Sequence, residues 1–186
     1  MTFRGFVAVD IPPTPALTTF AAELQAASRG LKLVALEQLH LTLKFLGNTE
    51  EGLVPEIVSV MRTACSGIPP FTVRVRGTGA FPDFSRMSVV WVGLQGAEPL
   101  ARIADALETG LEPLGFSVER RPWKAHVTIA RVKGRQDLDR VRRLIESHAS
   151  DEFGARAVDS VHLKKSVLTP HGPVYSVVES VRLHDG

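Results

Sequence analysis

HLTLKFLG at residues 40–47 and HVTIARVKG at residues 126–134 decide how this chain is read. Each stretch runs His-apolar-Thr-apolar toward a glycine, Gly47 in the first copy and Gly134 in the second. On an extended strand, successive side chains point to opposite faces. His40 and Thr42 therefore share one face and Leu41 and Leu43 the other, and His126 and Thr128 separate from Val127 and Ile129 in the same way. Each strand can bury its apolar face in its own lobe and offer an imidazole and a hydroxyl on the opposite side. One such histidine reads most simply as a hydrogen-bonded structural residue. Two matched copies read as the two sides of one cleft.

The surrounding pattern predicts an α+β chain in two similar halves, each with a motif strand, a Gly-containing turn and a helix. Residues 5–10 read as a strand stopped by Pro12 and Pro13, after which Leu17, Phe20, Leu24 and Ala27 recur at helical spacing up to Gly30. Thr49 is placed to cap a helix whose apolar face is Leu53, Ile57, Met61 and Ala64. FTVRVRG (71–77) and SVVWVGL (88–94) read as strands around a loop GAFPDFSR (79–86). Leu100, Ile103, Ala104, Leu107, Leu111 and Leu114 then mark a strongly amphipathic helix. AHVTIARV (125–132) is a strand, DLDRVRRLIESH (137–148) a short amphipathic helix, and two strands at about 156–165 and 174–182 flank the turn TPHGP. No linker or low-complexity stretch divides the chain, so residues 1–186 are expected to form a single bilobal domain.

With 44% hydrophobic and 23% charged residues, the composition excludes a disordered chain or a coiled coil. No segment approaches the roughly 18 uninterrupted apolar residues of a membrane span, and the apolar stretch before Asp10 is too short for a secretory signal. The single cysteine, Cys65, excludes an internal disulfide and points to a reducing, cytoplasmic setting, and the chain is expected to be a monomer. A net charge of +2 gives no global field for polyanions. The cations do gather around the second motif, at Arg120, Arg121, Lys124, Arg131, Lys133 and Arg135, so affinity for phosphate should be local. The basic run Arg140, Arg142 and Arg143 reads as a solvated helix face.

Two imidazoles across a cleft suit a displacement that needs a proton removed on one side and delivered on the other. Imidazole titrates near pH 6.5, so one ring can serve as base while the other serves as acid. In-line displacement at a phosphodiester has this geometry, with Thr42 and Thr128 as donors to the non-bridging oxygens. Arg131 is a candidate substrate-binding residue, although strict alternation puts it on the side of Val127 and Ile129 and only a bulge or the strand end would return it to the cleft. Phe81, Phe84 and Trp123 are candidates for stacking on a base, with core or loop packing as the simpler reading. A metal hydrolase is disfavoured, because neither motif has paired-ligand spacing and His148, His162, His171 and His184 are scattered; no metal and no cofactor are expected.

The two HxTx stretches resemble the paired signature of the two-histidine phosphoesterase superfamily, and within it the bacterial RNA 2′,3′-cyclic phosphodiesterases, historically called 2′-5′ RNA ligases. RGFVAVDIP (4–12), FPDFSRMSVVWVGL (81–94) and SVLTPHGPVYSVV (166–178) extend the resemblance over nearly the whole chain. The resemblance implies a bilobal α+β fold with two pseudo-symmetric antiparallel sheets lining a central groove and helices outside. It also implies metal-independent opening of an RNA-terminal 2′,3′-cyclic phosphate to a 2′-phosphate, and reverse 2′-5′ ligation, with a 5′-hydroxyl replacing water in the displacement. RNA ends or 2′,3′-cyclic nucleotides would be the substrates, His126 the proton acceptor, His40 the proton donor, and Thr42 and Thr128 the phosphate holders. The residues by themselves leave the choice of acid and base open. They also leave room for a non-catalytic binder of RNA ends or nucleotides on the same fold.

Overall fold

In a computed structural model of the protein, which describes residues 1–170 and 172–184, the chain forms two antiparallel sheets backed by helices. The strands are β1 (Thr2–Asp10), β2 (Leu31–Leu33), β3 (His40–Glu50), β4 (Phe71–Phe81), β5 (Val89–Gln95), β6 (His126–Val132), β7 (Glu152–Val158), β8 (Ser160–Thr169) and β9 (Gly172–Arg182). The helices are α1 (Pro15–Ala27), α2 (Val54–Cys65), α3 (Glu98–Leu111) and α4 (Leu138–Ser147). One sheet has the order β3-β1-β8-β9 and the other β2-β6-β5-β4-β7, so each motif strand lies in a different sheet. The expected α+β architecture, with two antiparallel sheets and helices outside, is what the chain adopts.

The connections make the halves interlock. After β1 the chain crosses so that α1 packs with β2, β7 and α4 behind the five-stranded sheet, and after β5 it crosses back so that α3 packs on β3 and α2. Helices α2 and α4 instead stay with the sheet of the motif strand that precedes them. Leu17, Phe20, Leu24, Ile57, Met61, Leu100, Ile103, Leu107 and Leu111 are fully buried, as their helical spacing predicts, and they join one continuous apolar core. Thr14 caps α1: its Oγ1 accepts from the Leu17 amide at 3.0 Å, and its hydroxyl donates to the Phe153 carbonyl of β7.

Three expectations need correction. Thr49 caps no helix: β3 continues through it, paired to β1 as far as Thr2 opposite Glu50, and α2 starts after a 3-10 turn at Glu51–Leu53. The strand partner offered by β1 outweighs the cap, and the Thr49 hydroxyl donates to the Gly47 carbonyl instead, at 3.1 Å. The C-terminal strand expected near 156–165 is two strands, β7 and β8, parted at Asp159, where the chain leaves one sheet and enters the other. The loop expected from Gly79 begins later, because Gly79, Ala80 and Phe81 complete β4 opposite β5. Strand β2 is only Leu31–Leu33 and has no alternation long enough to read.

Candidate active site

Both motif histidines open their strands, and both are held by the same local contact. The Nδ1 of His40 lies 2.8 Å from the carbonyl oxygen of Gln38, and the Nδ1 of His126 lies 2.8 Å from that of Lys124. A carbonyl oxygen only accepts, so Nδ1 must carry the hydrogen in each ring. This fixes the tautomer and leaves Nε2 as the working atom, basic when the ring is neutral and acidic when it is charged. Aromatic rings pack against both imidazoles: Phe6, tilted, and Tyr175, edge-on, meet His40 with centroids 5.1 and 5.0 Å away, and Phe81 meets His126 edge-on at 4.9 Å.

The bulge that Arg131 requires is present. Ala130 pairs with Val90 and Thr128 with Trp91, which leaves Ile129 as an extra residue on β6. The insertion buries Ile129 and Ala130 in succession and returns Arg131, exposed, to the face of His126 and Thr128. Strand β3 has the same device: Lys44 pairs with Val7 and Thr42 with Ala8, so Leu43 is the extra residue and Phe45 emerges on the His40 face. The positive charge of Arg131 is felt at His40 across the groove. A second tie across the groove is the indole N–H of Trp123, in the segment leading into β6, which donates to the Thr42 carbonyl of β3 at 3.1 Å.

Burial is the main influence on both imidazoles and favours their neutral form. It pulls the His40 pKa below the ordinary 6.5, with the Gln38 carbonyl opposing and Lys164 reinforcing the shift. It pulls His126 down likewise, with the Lys124 carbonyl opposing and the Lys124 ammonium reinforcing. The hydroxyls of Thr42 and Thr128 are half-buried and have no hydrogen-bond partner among the described residues, so they remain free as donors.

A polar network flanks His40 that periodicity did not disclose. Lys164, buried on β8, donates to Asp10 at the end of β1, and Asp10 pairs directly with His40 across the strands. His162 completes the group, with Nδ1 2.8 Å from the Ser180 hydroxyl and Nε2 3.8 Å from Asp10. Burial lowers the His162 pKa, with Asp10 opposing. Nothing in the sequence marks Lys164, which falls on the groove face only because β8 registers Lys164 against Phe6.

The other candidates separate clearly. Phe81 and Trp123 support the motif residues just described, and Phe84 packs on the core. His148 lies between Asp151 and Glu23, at 2.7 and 3.1 Å, behind the five-stranded sheet. His184 sits at the C-terminal end, and His171 falls outside the described residues. Among the described residues, no group of three or more His, Cys, Asp or Glu side chains is arranged to hold a metal ion. Among the same residues, no helix is long and apolar enough to cross a membrane.

Two facing sheets, each presenting an HxTx strand to a shared groove, define a two-histidine phosphoesterase fold. The chain belongs to the 2′-5′ RNA ligase superfamily, whose family model matches residues 12–166. It is 36% identical over 185 residues to the RNA 2′,3′-cyclic phosphodiesterase of Methanothermobacter thermautotrophicus, covering 98% of this chain and 100% of that protein. It is 39% identical over 153 residues to the RNA 2′,3′-cyclic phosphodiesterase of Aeropyrum pernix, covering 82% of this chain and 86% of the relative. The crystal structure of TT0787 of Thermus thermophilus superimposes with a TM-score of 0.77 at 32% identity, covering 97% of each chain.

Proposed function

We propose that this protein is an RNA 2′,3′-cyclic phosphodiesterase that opens a terminal cyclic phosphate to a 2′-phosphate by acid–base catalysis between two histidines. The observation that carries this reading is the matched pinning of His40 and His126, which leaves an Nε2 on each motif strand free to take or give a proton. His126 accepts a proton from the attacking water as its oxygen bonds to phosphorus. The bond from phosphorus to the 3′-oxygen breaks on the opposite side, and His40 donates the proton that makes the 3′-hydroxyl. One histidine gains the proton that the other loses, so solvent exchange resets the pair. Thr42 and Thr128 donate to the non-bridging oxygens and Arg131 supplies a permanent charge there, where negative charge must be held during displacement. With a 5′-hydroxyl attacking in place of water, the same displacement forms a 2′-5′ linkage.

RNA ends are the substrate class in this reading, and the catalytic unit is the whole chain acting as a monomer. Buried, unpaired Cys65 suits the reducing cytoplasm, where we place the protein. The test is hydrolysis of an oligoribonucleotide with a 2′,3′-cyclic end in excess EDTA. The expected product is the 2′-phosphate; a 3′-phosphate would reverse the assigned bond cleavage. Tight binding without turnover would favour the non-catalytic binder.

A further inference from the structure

Lys32 lies beside Arg131 in the register of β2 on β6, and this places it on the groove face. Its neighbour and the reach of its own side chain agree with that placement. Its cross-strand partner Arg131 is felt electrostatically at His40 in the opposite sheet. Its ammonium also reaches the turn between β8 and β9 of that sheet, where a Cβ added at Gly172 would stand 3.2 Å from Nζ. Gly172 has φ +127°, a conformation that a side chain would strain, so the turn stays bare where the lysine meets it.

The two cations differ from the buried lysines. Lys44 is neutralised by Glu108 and Lys164 by Asp10. Lys32 and Arg131 are both exposed, and neither has a carboxylate or hydrogen-bond partner among the described residues. Two uncompensated positive charges on adjacent strands, roughly 5 Å apart at the backbone, form an anion track rather than a structural pair. A single catalytic phosphate is served by Arg131 and the two threonines, which leaves Lys32 without a role in the mononucleotide reaction.

We infer that Lys32 and Arg131 form a two-phosphate track, with Arg131 on the terminal phosphate and Lys32 on the phosphodiester one nucleotide upstream, so that the groove selects an RNA strand end over a free cyclic mononucleotide. The inference rests on the phosphodiesterase reading for the position of the terminal phosphate. It adds that strand length is sensed by a charge outside the reacting group. Contacts to successive phosphates are salt-sensitive, with a slope of about 0.7 per phosphate for single strands.

Binding separates this inference from turnover. The affinities of the full-length protein for a nucleoside 2′-phosphate and for a dinucleotide ending in 2′-phosphate are measured against salt, for wild type, Lys32→Ala, Lys32→Arg and Arg62→Ala. Arg62, at the far end of α2, serves as a control for loss of one charge. The dinucleotide's advantage should fall about fivefold in Lys32→Ala, the scale of an exposed charge pair, with a shallower salt slope. Lys32→Arg should restore it, and Arg62→Ala should leave it intact. Equal weakening of both ligands in Lys32→Ala, or no change in either, would overturn the inference. If wild type hydrolyses no cyclic end, the proposed function fails, while the Lys32-dependent binding difference is still read directly.

Discussion

Arg131 occupies on β6 the position that Phe45 occupies on β3: each is the first groove-facing residue beyond a one-residue bulge, at Ile129 and at Leu43. The two motif strands therefore share more than their His and Thr. They share an irregularity that buries two residues in succession and then turns the next one outward. The halves differ in what that outward position carries, a guanidinium on one strand and an aromatic ring, 70% exposed, on the other.

In the proposed mechanism, that difference makes Arg131 the source of fixed charge at the phosphate. Arg131→Ala is expected to lower kcat/KM by about 100-fold, the scale of removing one donor to a developing anion. Arg131→Lys should recover only part, since an ammonium lacks the planar fork. Steady-state kinetics on a cyclic-ended dinucleotide checks this, with the thermal midpoint expected to stay near wild type because the side chain is exposed. An unchanged kcat/KM would remove Arg131 from the site.

The buried histidines set the pH dependence. The pKa values of His40, His126 and His162 are lowered in the folded state from an ordinary 6.5, chiefly by burial. As pH falls below 6.5 the unfolded chain takes up these protons first, so stability is lost from there downward through the lower folded values. Well above 6.5 the three rings are neutral in both states and contribute no slope. Thermal midpoints measured across this range should fall on the acid side. The bell-shaped profile of kcat/KM, which reports the free enzyme, should have its maximum below pH 6.5. A maximum on the alkaline side would show that the groove does not desolvate the histidines as described.

Lys44 ties β3 to the helix α3 packed behind it. Its ammonium donates to Glu108 on α3 at 2.7 Å and to the Ser117 carbonyl at 2.8 Å, with the lysine side chain 2% exposed and the glutamate 22%. Glu108→Ala strands that charge, and denaturant unfolding should show a loss of about 3 kcal/mol. Adding Lys44→Met to the same variant should recover most of it, because an apolar side chain of similar length needs no partner. A loss no smaller in the double variant would contradict the assignment.

The helices and the chemistry were legible in the sequence to different depths. Leu17, Phe20 and Leu24, or Leu100, Ile103 and Leu107, declare their buried faces because helical periodicity is a local property. His40, Thr42, His126 and Thr128 declare their shared faces because strand alternation is local too. The orientation of Arg131 was not legible, since a bulge depends on the partner strand: Ile129 is extra only because Val90 and Trp91 claim its neighbours. Lys164 and Asp10 meet through the pairing of β1 with β8, strands from opposite ends of the chain, and Lys32 sits on a strand too short to alternate. Thr49 misled because a capping pattern and a strand end use the same residue types.

The central claim is that two imidazoles, one on each motif strand, perform the proton transfers. The most direct measurement is single-turnover hydrolysis of an RNA 2′,3′-cyclic end by His40→Ala, His126→Ala and the double variant, each with its circular dichroism spectrum and thermal midpoint. Each single change should lower the rate by about 100- to 10,000-fold while the fold persists, and the double should lose little more than either single, because the pair acts as a unit. Turnover within a few-fold of wild type in either single variant, on a folded protein, would contradict the account.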